Sequence, residues 1–149
     1  IFYLFNLFNK SFLGDNGVYV ISIFMGIFII KFININKDIS PLLALNLLWY
    51  PAFENLFTIL RRFIKRQVVQ NADRQHLHTL IYEKLKHDYN ISYANTLTGI
   101  ILNIFMLIGV VISIYHYHSS KIQLMIIALN IIFYIGLYLK LSVKKSSQK

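Results

Sequence analysis

The chain has 149 residues, of which 56% are hydrophobic and 15% aromatic, and its mean hydropathy is +0.55. Soluble domains contain about 45–50% apolar residues, so this composition, gathered in long apolar runs, indicates an integral membrane protein. The absence of cysteine excludes a disulfide framework and any cysteine-based metal site. The net charge of +9 comes from basic residues that flank apolar runs, which indicates lipid headgroups and membrane topology and argues against nucleic acid as a partner.

The apolar runs predict an all-α fold, a polytopic transmembrane helical bundle that forms one membrane domain over residues 1–149. A helix of about 20 apolar residues crosses a bilayer. Pro41 suits the first turn of the second span, and Pro51 should kink that span. Residues 63–92 are expected to form a cytoplasmic loop with a short helix. Four spans are predicted at about 17–33, 41–62, 94–115 and 122–141, and residues 1–8 resemble the tail of a fifth span whose beginning is missing.

The distribution of lysine and arginine predicts an orientation. Residues 61–88, the charged loop, carry seven of the fifteen basic residues and three of the five histidines. If Lys10, the charged loop and the C-terminal tail lie on one side, that side holds twelve basic residues and the other side only Lys31, Lys37 and Lys121. Because cytoplasmic segments are enriched in lysine and arginine, we expect the first side to face the cytoplasm.

The first candidate site is the turn Phe12-Leu13-Gly14-Asp15-Asn16-Gly17, directly before a span. Glycines allow a tight turn with positive φ, and the start of a helix attracts phosphate. Asp15 could hold Mg²⁺, which prefers carboxylate and phosphate oxygens. The alternative is an ordinary turn in which Asp15 or Asn16 caps the helix.

The second candidate is Glu54, an acidic residue inside an apolar run. It lies seven residues before Arg61, so both side chains can share one helix face. An ionisable residue in such a run favours a functional role. An equally acceptable interpretation is a buried polar contact with a neighbouring helix, with Arg61 and Arg62 as an interfacial anchor.

The third candidate is the segment Asp73-Arg74-Gln75-His76-Leu77-His78. The two histidines face the same side if the segment is extended, whereas on a helix they would diverge by about 200°. Imidazole and guanidinium groups can both donate to phosphate oxygens. Exposed polar residues are the simpler interpretation, and two histidines without further ligands make a weak zinc signal. A second such pair, His116 and His118, is predicted on the opposite side as a polar loop.

The order of these motifs resembles the polyprenyl-phosphate N-acetylhexosamine-1-phosphate transferases. The resemblance covers about residues 8–97, and the chain is similar to the C-terminal half of such an enzyme. It implies Mg²⁺-dependent (or Mn²⁺-dependent) transfer of a sugar-1-phosphate from a UDP-sugar to polyprenyl phosphate, with release of UMP. It also implies a bacterial inner-membrane enzyme of cell-envelope glycan synthesis with a cytoplasmic active face.

The resemblance also implies roles for single residues. Asp15 matches the essential aspartate near the metal, and His76 and His78 match histidines that contact the nucleotide and its phosphates. Four further residues are expected to bind substrate: Lys10, Glu54, Asp73 and Arg74.

The sequence departs from the family pattern at four positions, with Thr79 in place of a third histidine, Glu54-Asn55 in place of Asp-Thr, and Ala72 in place of a proline. The family's adjacent aspartates have no counterpart, so we expect these 149 residues alone to be inactive. The alternatives are a transporter or assembly subunit that uses Glu54 and the histidines as an ion relay, and a homologue without activity. A homodimer is compatible with this sequence.

Overall fold

The computed structural model describes residues 2–11, 13–64, 66 and 75–146, and these ranges contain α-helices and no strand. The predicted all-α fold is therefore confirmed. The short helix predicted within residues 63–92 is α4, and Pro51 lies inside α3, which remains helical on both sides of it. The six helices are α1 (Phe2–Leu7), α2 (Gly14–Ile35), α3 (Leu42–Ile64), α4 (Leu77–Leu85), α5 (Ile91–Tyr115) and α6 (Ser120–Ser146).

The two inter-helix turns at residues 36–41 and 116–119 meet at one end of the bundle, the turn end. The backbone N–H of Ser40 donates to the carbonyl of Tyr117 at 2.8 Å. The hydroxyls of Ser40 and Ser120 lie 2.8 Å apart, and Nδ1 of His118 donates to the carbonyl of Asp38 at 2.7 Å. These contacts join the α2–α3 turn to the α5–α6 turn.

The opposite end, the loop end, contains α4, the beginnings of α2 and α5, and the ends of α3 and α6. Asn9, just before α2, donates from its side chain to Ser92 and Thr96 at the beginning of α5. The side chain of Asn90 accepts from the backbone N–H of Tyr93 at 2.8 Å and caps α5. Lys10 and the described part of the charged loop therefore lie at one end of the bundle, with Lys37 and Lys121 at the other.

The core lies where α3, α5 and α6 pack together beneath α4. Three apolar residues on one face of α4, Leu77, Leu80 and Ile81, are buried against the bundle. Their spacing of three and four residues is that of a helix with one apolar face. The rest of the core is mainly aromatic and includes Trp49, Leu102, Tyr134 and Tyr138. The helix α4 thus covers the core at the loop end.

Three helices of the described chain are long and apolar enough to cross a membrane: Gly14–Ile35, Ile91–Tyr115 and Ser120–Ser142. They correspond to three of the four predicted spans. No residue of α2 is buried in the bundle, which fits a helix surrounded by lipid. With 23 residues, α3 is long enough for the remaining span but is more polar, and it buries Glu54, Arg61 and Arg62.

Candidate functional site

Glu54 in α3 forms the centre of a polar site beneath the beginning of α4. Only 7% of the residue is exposed. Its Oε1 accepts a hydrogen bond from the backbone N–H of Leu77 at 3.0 Å and lies 3.1 Å from Nδ1 of His76. One carboxylate oxygen therefore holds both the first residue of α4 and the residue before it.

This contact explains how α4 begins. His76 has extended backbone angles (φ −72°, ψ 151°) at the N-cap position, and its side chain does not cap the helix. Free N–H groups at a helix N-terminus need acceptors and attract negative charge. Glu54 meets this need from a different helix, so a negative charge already sits at the N-terminus of α4. An anionic substrate at this place would have to be bound chiefly by side-chain donors.

Two tyrosines lie beside the same carboxylate. Tyr50 precedes Glu54 by one helical turn of α3, Tyr134 comes from α6, and both interact with Glu54. Within the described chain, neither hydroxyl has a partner of good hydrogen-bond geometry, and the same holds for Oε2 of Glu54. Oε2 of Glu54 is buried, as are the two tyrosine hydroxyls, while Oε1 holds α4.

His76 and His78 form a stacked pair above Glu54. Their ring centroids are 5.4 Å apart and their planes differ by 10°. The shared side arises because His76 is extended and α4 begins only at Leu77. The sequence predicted a shared side only for an extended segment, whereas here His76 is extended and His78 is helical. A quarter of the His76 side chain is exposed, so the pair is reachable from outside.

The surroundings of His78 change its pKa. Atoms crowding the ring remove water from it even though the residue has an exposed surface, and this desolvation lowers the pKa of His78 below 6.5. The negative charge of Glu54 raises the pKa, and His76 lowers it, but both effects are smaller than desolvation. The neutral form of the His78 ring is therefore favoured near neutral pH.

Arg61 and Glu54 occupy the same face of α3, as their spacing predicted, and they hold neighbouring residues of the segment before α4. Nη1 of Arg61 donates to Oε1 of Gln75 at 2.6 Å, next to the contact between Glu54 and His76. Arg61 and Arg62 are 8% and 6% exposed. Glu54 therefore makes the buried polar contact with a neighbouring helix that the sequence allowed. Arg61, which was expected only as an interfacial anchor, also holds Gln75.

Asp15 lies at the same end of the bundle but apart from the histidines. It is exposed in the first turn of α2, and it makes no hydrogen bond or ion pair with the described residues. Gly14 has a φ of 67°, which matches the predicted turn. Leu13 is the N-cap residue and no side chain of the described residues caps α2, so the alternative in which Asp15 or Asn16 is the cap is wrong.

The remaining predicted residues divide into two groups. Lys10 is exposed at the loop end, where the backbone N–H donates to the carbonyl of Phe5 at 2.8 Å. Asp73 and Arg74 lie outside the described residues. In the ranges that the structure describes, no three metal-binding side chains come together. Asp15 therefore contributes a single carboxylate, and the histidine pair forms a separate group.

Three residues of the site were not predicted. Tyr50 could have been found, since it lies four residues before Glu54 on the same helix face. Thr58, whose Oγ1 is 3.3 Å from Nδ1 of His76, occupies the next turn of that face. Nothing in the sequence predicts that Tyr134 lies beside Glu54, because the two residues meet only through the packing of α6 against α3.

No family model matches the sequence, and no curated protein matches it. No solved structure matches the chain.

Proposed function

We propose that this chain is part of an enzyme that transfers a sugar-1-phosphate from a UDP-sugar to polyprenyl phosphate and releases UMP. The observation that best supports this is that the histidine pair is held in place by Glu54 and by the stacking of the two rings. Glu54 fixes His76, and His78 stacks on it, at the same end of the bundle as Asp15 and Lys10. Among the described residues, this end carries polar groups from each of the three candidate sites: Asp15, Glu54, and the pair His76 and His78.

The chemistry of phosphoryl transfer suits these residue types. The reaction depends mainly on positioning the reactants and neutralising charge on the phosphate oxygens. In the proposed enzyme His76 contacts the nucleotide and its phosphates, and Lys10 adds positive charge nearby. Three helices are long and apolar enough to cross a membrane, and such spans would place this end at a bilayer surface. A lipid phosphate and a soluble nucleotide would meet there.

Asp15 is the residue that would hold a Mg²⁺ ion, or Mn²⁺ in its place. Mg²⁺ is commonly bound by one or two carboxylates together with substrate phosphates. A single exposed carboxylate at the loop end fits that requirement when the diphosphate supplies further oxygens. Such an ion would neutralise negative charge on the diphosphate.

The proposal includes a location. Among the described residues, lysine and arginine are in excess at the loop end, which favours a cytoplasmic active face, and we place the enzyme in a bacterial inner membrane. The proposed partners are a UDP-sugar, a polyprenyl phosphate lipid and the surrounding membrane. The proposed process is the synthesis of cell-envelope glycans.

The test is release of UMP from UDP-N-acetylhexosamines by the full-length protein in membranes supplied with polyprenyl phosphate and Mg²⁺. We expect Asp15→Asn to abolish release. Asp38→Asn is the matched control, because Asp38 is an exposed aspartate at the turn end, and it should keep wild-type turnover. Near-wild-type turnover by the Asp15 variant would contradict the proposed role.

A further inference from the structure

We propose that Glu54 is a positioning residue that fixes the tautomer of His76, so that Nε2 is the atom His76 presents to substrate. This inference rests on the proposed function for its substrate, but its structural part can be tested without any activity. It changes the expected role of Glu54, which the sequence assigned to substrate binding.

Burial argues that Glu54 acts through His76 and does not touch substrate itself. The residue is 7% exposed, and its Oε1 is committed to the backbone of Leu77 and to the His76 ring. The other oxygen, Oε2, is buried, as are the hydroxyls of Tyr50 and Tyr134, which interact with Glu54. A substrate would reach Glu54 only after α4 had moved.

The neighbours of the His76 ring determine where its proton lies. Nδ1 has two oxygen neighbours, Glu54 Oε1 at 3.1 Å and Thr58 Oγ1 at 3.3 Å. An ionised carboxylate can only accept, whereas a hydroxyl can accept or donate. A bare Nδ1 would place a lone pair against the carboxylate, so the proton belongs on Nδ1 and is donated to Glu54.

The second ring nitrogen then becomes the functional atom. In the described chain Nε2 of His76 makes no hydrogen bond, and a quarter of the side chain is exposed. The hydrogen bond at one imidazole nitrogen sets the chemical state of the other. In the neutral ring Nε2 accepts a hydrogen bond, and in the protonated ring it donates one to a phosphate oxygen.

The first test is ¹⁵N NMR of histidine in the purified full-length protein, with the His76 signals assigned by their loss in His76→Gln. Above the pH at which the ring loses its charge, we expect a protonated Nδ1 and a bare Nε2. Thr58→Val should leave this tautomer unchanged, since Thr58 is the weaker neighbour. A bare Nδ1 in the wild-type protein would overturn the inference.

The second test compares kcat/KM for UMP release in Glu54→Gln, Glu54→Ala, His76→Ala and the double variant with alanine at both positions. The glutamine oxygen can still accept from Nδ1, so Glu54→Gln should stay within about threefold of wild type, whereas Glu54→Ala should lose about tenfold or more. Added to His76→Ala, Glu54→Ala should cost little further, because residues that act as a unit are not additive.

Two kinetic results would contradict the inference: equal losses in Glu54→Gln and Glu54→Ala, or fully additive losses in the double variant. The first would show that the charge of Glu54 acts directly, and the second that Glu54 acts independently of His76. If no variant and no wild-type preparation releases UMP, the proposed function fails, and the NMR tautomer alone decides the role of Glu54.

Discussion

The side-chain amide of Asn46 in α3 donates to the side-chain oxygen of Gln123 in α6 at 2.6 Å, inside the bundle near the turn end. Both residues are almost completely buried, with 1% and 0% of their surfaces exposed. Gln123 also donates to the carbonyls of Ser113 and His116 at 2.7 and 3.1 Å. A single side chain thus ties α6 to α3 and to the end of α5.

We expect Gln123→Leu to destabilise the protein by about 1–2 kcal/mol, because it leaves buried polar groups of α3 and α5 without a partner. Thermal unfolding in detergent measures the loss. Asn103→Leu is the control, since the Asn103 amide bonds only within its own helix, to the carbonyl of Gly99 at 2.7 Å. Equal losses of stability in both variants would show that the contacts between helices stabilise the protein no more than a contact within one helix.

The separation of the two ends predicts a labelling pattern. These 149 residues contain no cysteine, so each introduced cysteine is the only thiol within them. In Lys10→Cys and Lys84→Cys, both at the loop end, we expect an impermeant maleimide to label the protein from the same side of the membrane. In Lys37→Cys it should label from the other side. All three lysines are exposed, so accessibility does not bias the comparison. Labelling of Lys10→Cys and Lys37→Cys from the same side would contradict the arrangement of α2.

Long apolar runs were enough to predict the helices, because the bilayer requires every backbone polar group to be bonded within its own helix. The side on which His76 and His78 meet was not decided by the sequence. Whether the rings stack or diverge depends on the residue at which α4 begins, because a start one residue earlier would make His76 helical. Contacts between distant helices, such as Tyr134 with Glu54 and Gln123 with Asn46, depend on packing and leave no periodic signal. For the same reason the sequence could not tell that Glu54 holds α4.

The two histidine pairs provide a functional comparison at opposite ends of the molecule. His76→Ala should mainly raise the KM for the UDP-sugar and change kcat less, because the proposed role of His76 is binding the nucleotide phosphates. His116→Ala removes an exposed imidazole at the turn end and should leave both constants unchanged. Initial rates of UMP release over a range of UDP-sugar concentrations separate the two constants. A fall in kcat without a change in KM in His76→Ala would argue against phosphate binding as the role of this ring.

The lowered pKa of His78 predicts that stability depends on pH. Between that lowered pKa and 6.5 the unfolded chain binds more protons than the folded protein, so stability rises with pH through this window and is lost as the pH falls. The unfolding temperature of the wild-type protein should therefore decrease between pH 6.5 and pH 5, and His78→Gln should make that decrease smaller. His116→Gln, which removes an exposed histidine at the turn end, should keep the wild-type slope. If His78→Gln also keeps that slope, desolvation of the His78 ring does not contribute to the pH dependence of stability, and the ring is hydrated in the folded protein.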